Sequence, residues 1–140
     1  MEKIKTKKLY MTQIWKGTEV IPVTVLKTEN QEAFKKLEEG KEITISGKNK
    51  GRGFQGVVKR HGFSGMDKTH GTKHHLRAPG SIGSTDPARV IPGKKMPGHM
   101  GAQTITIKNI KIIELHPDKK EIFIKGAAPG MKGNDIELRI

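Results

Sequence analysis

The sequence contains no cysteine, which excludes disulfides, thiol catalysis and cysteine-ligated zinc sites. It also has no apolar run near the roughly 18 residues that a membrane-spanning helix needs. The N-terminal Met1-Glu2-Lys3-Ile4-Lys5 lacks the apolar stretch of a secretory signal. A chain of 140 residues is also short for a typical two-domain enzyme. We therefore expect a soluble, cytoplasmic protein with one domain, or one domain and an extension.

Acidic residues are scarce in one segment of the chain. Between Ser46 and Gly101 only Asp67 and Asp86 are acidic, against eleven lysines and arginines, so this segment carries nine of the thirteen net positive charges. The pI is about 10.0. A surface that hardly mixes the two charge signs favours a polyanion as the partner.

The same segment is poor in apolar residues and rich in residues that break secondary structure. It holds 12 of the 17 glycines and four of the seven prolines, and only about 23% of it is apolar, against about 39% of the rest. Only the flanking parts therefore have the composition to bury a core. We predict a core of residues 1–45 and 102–140, and a basic, glycine-rich extension of residues 46–101, which we call the arm.

The flanks show strand patterns, with short β-branched and aliphatic runs separated by turn residues. The predicted strands are Leu9–Trp15 and Val20–Leu26 as one hairpin, Glu42–Ser46, Thr104–Leu115 and Glu121–Lys125 as a second hairpin, and Asp135–Ile140. Apolar residues at helical spacing between Thr28 and Gly40 predict one short amphipathic helix. The predicted fold class is mainly β, a small sheet or barrel with one short helix.

One motif in the arm points to a nucleotide. Gly51-Arg52-Gly53-Phe54-Gln55-Gly56 matches G-x-G-x-x-G. In a dinucleotide site the glycines open a helix, and the following residues 57–62 are not helix-like in sequence. A flexible glycine loop whose cations meet phosphate is therefore the favoured interpretation, and a small enzyme that uses this loop is a minor alternative.

Two further patterns give weak signals for a metal site and for a nucleophile. His70, His74 and His75 have a spacing that could hold zinc, but cysteines are absent and acids are few, so stacking on nucleic acid or plain solvation is favoured. Ser64 lies in a sequence that misses G-x-S-x-G at its last position. We predict no catalytic residue, no metal and no cofactor, and hence no enzyme.

Glycines and cations alternate throughout the arm, a combination that favours folded RNA. Glycine lets backbone amides approach phosphate. Arginine can donate two hydrogen bonds to a phosphate or a base edge, and the planar groups of histidine and arginine can stack on unpaired bases. A solvated basic loop without a partner is the competing interpretation. The predicted RNA-binding residues are Lys48, Lys50, Arg52, Lys59, Arg60, His61, Lys68, His70, Lys73, His74, His75, Arg77, Arg89, Lys94, Lys95 and His99.

At this point the residues resemble those of a known family. Lys48–Arg60 is similar to a K-G-K-G-F-x-G-x-V-K-R signature, and other stretches match further motifs of the bacterial branch of the universal large-subunit ribosomal protein family L-three. These stretches are Thr69-His70-Gly71, Pro79–Gly83, Gly93–Gly101, Met11–Ile14 and Lys125–Gly130. They occur in the family's order, at both ends of the chain and along nearly all of the arm.

The resemblance implies a six-stranded translation-protein β-barrel whose extension threads into large-subunit ribosomal RNA. It implies binding near the 3′ end of 23S-type RNA, support of subunit assembly, and an extension that reaches toward the peptidyl transferase region, furthest at residues 83–89. The implied protein neighbours are the ribosomal proteins L-fourteen and L-nineteen. An RNA-binding module or RNA chaperone acting off the ribosome is the alternative. The stretch between Leu26 and Ile43 is shorter than in typical bacterial members, which leaves open whether the barrel closes.

Overall fold

The computed structural model describes residues 3–140, and its regular structure is mainly strand. The eight strands are β1 (Lys3–Lys16), β2 (Glu19–Lys27), β3 (Glu42–Lys48), β4 (Phe54–Gln55), β5 (Gly98–His99), β6 (Thr104–His116), β7 (Glu121–Lys125) and β8 (Asp135–Arg139). A 3-10 helix spans Gln31–Lys36 and a short α-helix, α1, spans Val57–His61. The expected mainly β class is confirmed.

Six strands form a closed, antiparallel ring in the order β1-β2-β7-β6-β3-β8. The ring closes where β8 pairs with β1 on one side and with β3 on the other, for example Ile4 with Leu138 and Ile45 with Leu138. The structure thus confirms one part of the expected barrel, which is a closed ring of six strands. Closure leaves no ring strand with a fully unpaired edge.

Aliphatic side chains from all six ring strands fill the interior. Leu26, Ile45, Ile112, Ile122 and Leu138 are completely buried. Burial of each such side chain contributes about 1.5 to 3 kcal/mol of transfer free energy. The core of the first unit therefore lies inside the ring.

The first strand begins six residues earlier than predicted. From Lys3 onward the chain alternates exposed lysines with the buried Ile4 and Thr6, and it pairs with β8 from Lys3 to Lys7. This part of the strand is hard to recognise from sequence. Lysines fill its solvent face, and its inward positions hold only one strongly apolar residue before Leu9. The alternation itself is the signal that sequence reasoning passed over.

The predicted helix between Thr28 and Gly40 is a single 3-10 helix of six residues. The Asn30 side chain accepts a hydrogen bond from the Glu32 backbone N–H at 3.0 Å and caps its start. Leu37 is already extended, and the Gly40 N–H then donates to Ile112 O at 2.8 Å. The helix is short because the chain must straighten to join the β-ladder before β3.

The chain divides into two compact units. The first combines the residues up to Lys50 with Ala102–Ile140, and the second is Gly51–Gly101. The second unit contains β4 and β5, paired as a two-stranded ribbon, together with α1. The prediction that residues 57–62 are not helical is wrong. Gly62 adopts φ +74° and donates its N–H to Val58 O at 3.0 Å, and three basic residues occupy the last turn, where the helix dipole favours them.

Candidate RNA interface

The root of the arm is braced within the first unit by a buried lysine. Lys8 points into the barrel, and its Nζ donates hydrogen bonds to Ala128 O at 2.8 Å and Gly130 O at 3.0 Å. Burial lowers the pKa of Lys8 below its ordinary value of 10.5, and the charge of Lys50 lowers it further. The ammonium thus fixes the loop between β7 and β8 from inside.

That loop packs closely against the end of β3, where the arm begins. Gly130 has φ +83°, and a Cβ built there would lie 2.7 Å from Lys48 O and 2.6 Å from Asn134 Nδ2. Only glycine fits such a position without displacing backbone. The Lys125–Gly130 motif therefore sets the backbone position of Lys48, the first of the predicted RNA-binding residues.

Within the second unit, α1 is clamped to the returning limb of the arm. Arg60 Nη1 donates to Met96 O at 2.7 Å, and His61 Nε2 lies 3.0 Å from the same oxygen. Gly98 lies beneath the guanidinium, because a Cβ there would approach Arg60 Nη1 to 2.8 Å. Both side chains are partly buried, so they hold the arm together while part of their hydrogen-bonding capacity stays free.

The other fourteen predicted residues are solvent-exposed. Within residues 3–140 none of these fourteen takes part in an ion pair, so no salt bridge within the protein neutralises the charge of the ten lysines and arginines among them. The exposed residues are Lys48, Lys50, Arg52, Lys59, Lys68, His70, Lys73, His74, His75, Arg77, Arg89, Lys94, Lys95 and His99. Exposed, unpaired cations on a folded support are what phosphate contacts require.

These residues lie on several different elements of the structure. Lys59 extends from α1, and His99 lies on β5 opposite Phe54. The stretch from Lys68 to Arg77 is irregular, and the Met66 N–H donates to Leu76 O at 3.0 Å across it. Arg89 stands in a run of exposed residues, 81–91, that forms no strand or helix. Lys48 and Lys50 belong to the first unit.

Sequence reasoning missed a row of cations on the barrel itself. Lys3, Lys5 and Lys7 share the outer face of β1, and Lys27 is the cross-strand partner of Lys7. They line an open groove of about 1240 Å³ together with Lys48. Glu137 neutralises part of the row, since Lys3 Nζ lies 3.8 Å from Glu137 Oε2. The period-2 alternation of lysine with Ile4 and Thr6 could have revealed this face.

Within residues 3–140 no three His, Asp or Glu side chains converge as a metal ion would need, and His70, His74 and His75 are each exposed. The six-residue glycine motif does not open a nucleotide site either. Gly56 is the N-cap residue of α1, and that helix has only five residues. No helix in the described part of the chain has the length and hydropathy to cross a membrane.

Comparison with known proteins gives the family that this chain resembles. The family model Ribosomal protein L3 matches residues 5–138. A protein of Oceanobacillus iheyensis named Large ribosomal subunit protein uL3 is 42% identical over 102 residues, which cover 73% of this chain and 48% of that protein. The uL3 of Desulforapulum autotrophicum is 52% identical over 101 residues, with 71% and 48% covered.

The uL3 of Chlorobium limicola is 43% identical over 114 residues, covering 81% of this chain and 54% of that protein. The chain thus spans about half the length of the curated relatives it matches. The match includes the closed ring and the whole arm, since it runs from β1 to β8. On this evidence the chain belongs to the Ribosomal protein L3 family.

Proposed function

We propose that this protein is a structural constituent of the large ribosomal subunit and binds its ribosomal RNA through the arm. The observation that carries the proposal is the set of fourteen exposed residues of the arm and its root that make no ion pair within residues 3–140. The relatives, which are named large ribosomal subunit proteins, support the same assignment. Its location would be the cytoplasm, on the ribosome.

Phosphate binding is the physical basis of this role. Each lysine or arginine that neutralises a phosphate releases a counterion, so affinity falls with salt by a slope of about 0.7 to 0.9 per contact. Ordering backbone costs about 1 to 2 kcal/mol per residue, and the ribbon and the Met96 clamp reduce the part of this cost that RNA binding must offset. A partly structured arm can therefore bind with a net gain.

The finer proposal follows the resemblance. The protein binds near the 3′ end of 23S-type RNA, supports assembly of the subunit, and extends residues 83–89 toward the peptidyl transferase region. The exposure of every residue in that run supports a role as the part that enters RNA. The proposed protein neighbours are L-fourteen and L-nineteen. The protein needs no cofactor or metal for this role and catalyses no reaction.

Filter binding tests the RNA assignment. The protein should bind a transcript of the 3′ domain of large-subunit RNA more tightly than an unrelated RNA of equal length at moderate salt, and it should co-sediment with large subunits. Equal affinity for the two RNAs would contradict the proposal and favour an RNA chaperone that acts off the ribosome.

A charge variant tests the assignment to the arm. Lys94→Gln with Lys95→Gln should lower the slope of log affinity against log salt by about two, one for each cation. The matched control is Lys108→Gln with Lys125→Gln, which removes two exposed cations from β6 and β7 of the barrel. An equal change of slope in both variants would show that net charge acts, and not the arm.

A further inference from the structure

Phe54 is the most exposed large hydrophobic side chain among residues 3–140, at 74% of its full accessibility. It lies in β4, within the segment of the chain that is poorest in apolar residues. A single exposed hydrophobic residue is common on protein surfaces and has no meaning by itself. The support beneath Phe54 and the charge around it distinguish this residue from the others.

The backbone on both sides of Phe54 is held firmly. Just before it, the Arg52 N–H donates to Met100 O at 2.8 Å, and the Met100 N–H donates to Gly53 O at 2.9 Å. The side chain of Gln55 donates to Arg52 O and closes the same turn. Three residues after Phe54, α1 begins with Val57, which is 1% exposed. The phenyl ring of Phe54 is therefore exposed to solvent on a backbone that hydrogen bonds hold in place.

An ordered backbone reduces the conformational entropy that is lost when the phenyl ring is buried against a partner. Phenylalanine has only two side-chain torsions, and the ribbon already fixes its backbone. His99 is the cross-strand partner of Phe54, so the two side chains stand on the same face of the ribbon. This face presents a flat apolar ring with an exposed imidazole beside it.

Along the chain, the charge next to the ribbon has one sign. Residues 51–66 and 87–101, the parts of the second unit that contain β4 and β5, hold six lysines and arginines and no acidic residue, and Asp67 and Asp86 lie in the stretch between them. A partner that covers Phe54 must therefore carry negative charge and also offer a flat apolar face. Single-stranded RNA offers both, because its phosphates are anionic and its unpaired bases have exposed π-faces.

We propose that Phe54 stacks on an unpaired base of the bound RNA, so that the arm binds a splayed, single-stranded nucleotide as well as phosphates. This inference rests on the proposed function, since it names the RNA feature that the same interface binds. It also adds a residue that the charge analysis did not select. Stacking is insensitive to salt, whereas the phosphate contacts of the arm are not.

Affinity measurements on the full chain separate the two kinds of contact. With the 3′-domain transcript as the probe, Phe54→Ala should bind about 5- to 150-fold more weakly, with an unchanged salt slope. Phe54→Tyr should keep the affinity, and Phe54→Leu, which retains apolar bulk without a ring, should lose most of it. The matched control is Trp15→Ala, which removes another exposed aromatic ring, 66% accessible, from the β1–β2 hairpin. It should bind like the wild type.

Fluorescence supplies a readout that affinity alone does not give. Trp15 is the only tryptophan, so Trp15→Phe combined with Phe54→Trp places a single indole in β4. Stacking should quench its emission when the transcript is added, whereas the emission of Trp15 in the wild type should stay nearly constant. The unfolding midpoint of each variant should equal that of the wild type, because Phe54 is exposed in the free protein.

Several outcomes would overturn the stacking proposal while the proposed function stands. Phe54→Ala could bind the transcript as tightly as the wild type, Phe54→Leu could restore full affinity, or the indole at position 54 could show no quenching in the bound state. The first of these results would favour a protein partner for Phe54. Failure of the wild-type protein to prefer the 3′-domain transcript would instead overturn the proposed function.

Discussion

Replacing Lys8 by methionine tests whether the buried ammonium holds the loop at the root of the arm. Lys8 is 8% exposed, and its Nζ donates to the carbonyl oxygens of Ala128 and Gly130, both in the β7–β8 loop. Methionine fills a similar volume but has no hydrogen to donate. The variant therefore removes the two hydrogen bonds and leaves the packing nearly intact.

The expected loss of stability follows from the two acceptors. Ala128 and Gly130 are both buried, and each carbonyl left without a donor costs about 1 to 3 kcal/mol. Relief from burying a charge offsets part of this cost. We expect Lys8→Met to lower the free energy of unfolding by about 2 to 4 kcal/mol at neutral pH, which is a large share of a typical total.

The pH dependence gives the prediction a sign. Because the pKa of Lys8 is lowered in the folded protein, the folded state releases this proton at a lower pH than the unfolded chain. Between the folded pKa and 10.5 the unfolded state binds more protons, so the Lys8 contribution to stability rises with pH. The neutral amine still has two N–H groups, one for each carbonyl. The advantage of wild type over Lys8→Met should therefore grow through this window and level off above it.

Urea unfolding at a series of pH values measures this difference, with Lys5→Met as the control because Lys5 is exposed on the same strand. Comparing the two variants cancels the titration of every group that they share. A Lys8→Met stability within about 0.5 kcal/mol of that of Lys5→Met would refute the bracing role. A wild-type advantage that shrinks as the pH rises toward 10.5 would refute the assigned pKa direction.

Two further predictions concern the loop and the arm. Gly130→Ala should cost at least about 2 kcal/mol, because its Cβ would meet Lys48 O at 2.7 Å, whereas Gly133→Ala in the same loop, with φ +85° and nothing within 4 Å, should cost about 1 kcal/mol; equal losses in urea unfolding would contradict the packing argument. In amide exchange without RNA, the exposed run 81–90 should exchange fast and Ile112 slowly, and the 3′-domain transcript should slow the run. Slow exchange of residues 81–90 in the free protein would contradict the prediction that RNA orders this run.

The strands β7 and β8 could be predicted from sequence because their buried positions alternate with less buried ones. Glu121–Lys125 is the clearest case, since the predicted and observed bounds of β7 are the same. The start of β1 was missed because lysines fill its outer face and Lys8 occupies an inward position. A lysine at an inward position has no apolar signature, and its two carbonyl acceptors lie 120 and 122 residues away along the chain. Local patterns carry no information on contacts that distant.

The arm shows a different limit of sequence reasoning. Its charge predicts a polyanion-binding segment, but charge cannot separate a cation that faces solvent from one that holds the fold. Arg60 and His61 look like their neighbour Lys59 in sequence, and only the position of Met96 O shows that they clamp α1. Phe54 was missed because it carries no charge, and only the structure shows that its ring is exposed.

The short stretch between Leu26 and Ile43 does not remove any strand of the ring. Thr28 is buried, and its hydroxyl donates to Lys5 O at 3.2 Å, which attaches the start of the connection to β1. Ala33 of the 3-10 helix and Leu37 just after it then enter the hydrophobic core, so the connection itself contributes apolar burial. Because β3 still reaches both β6 and β8, the ring closes with six strands. The connection from β2 to β3 therefore leaves the six-stranded ring complete.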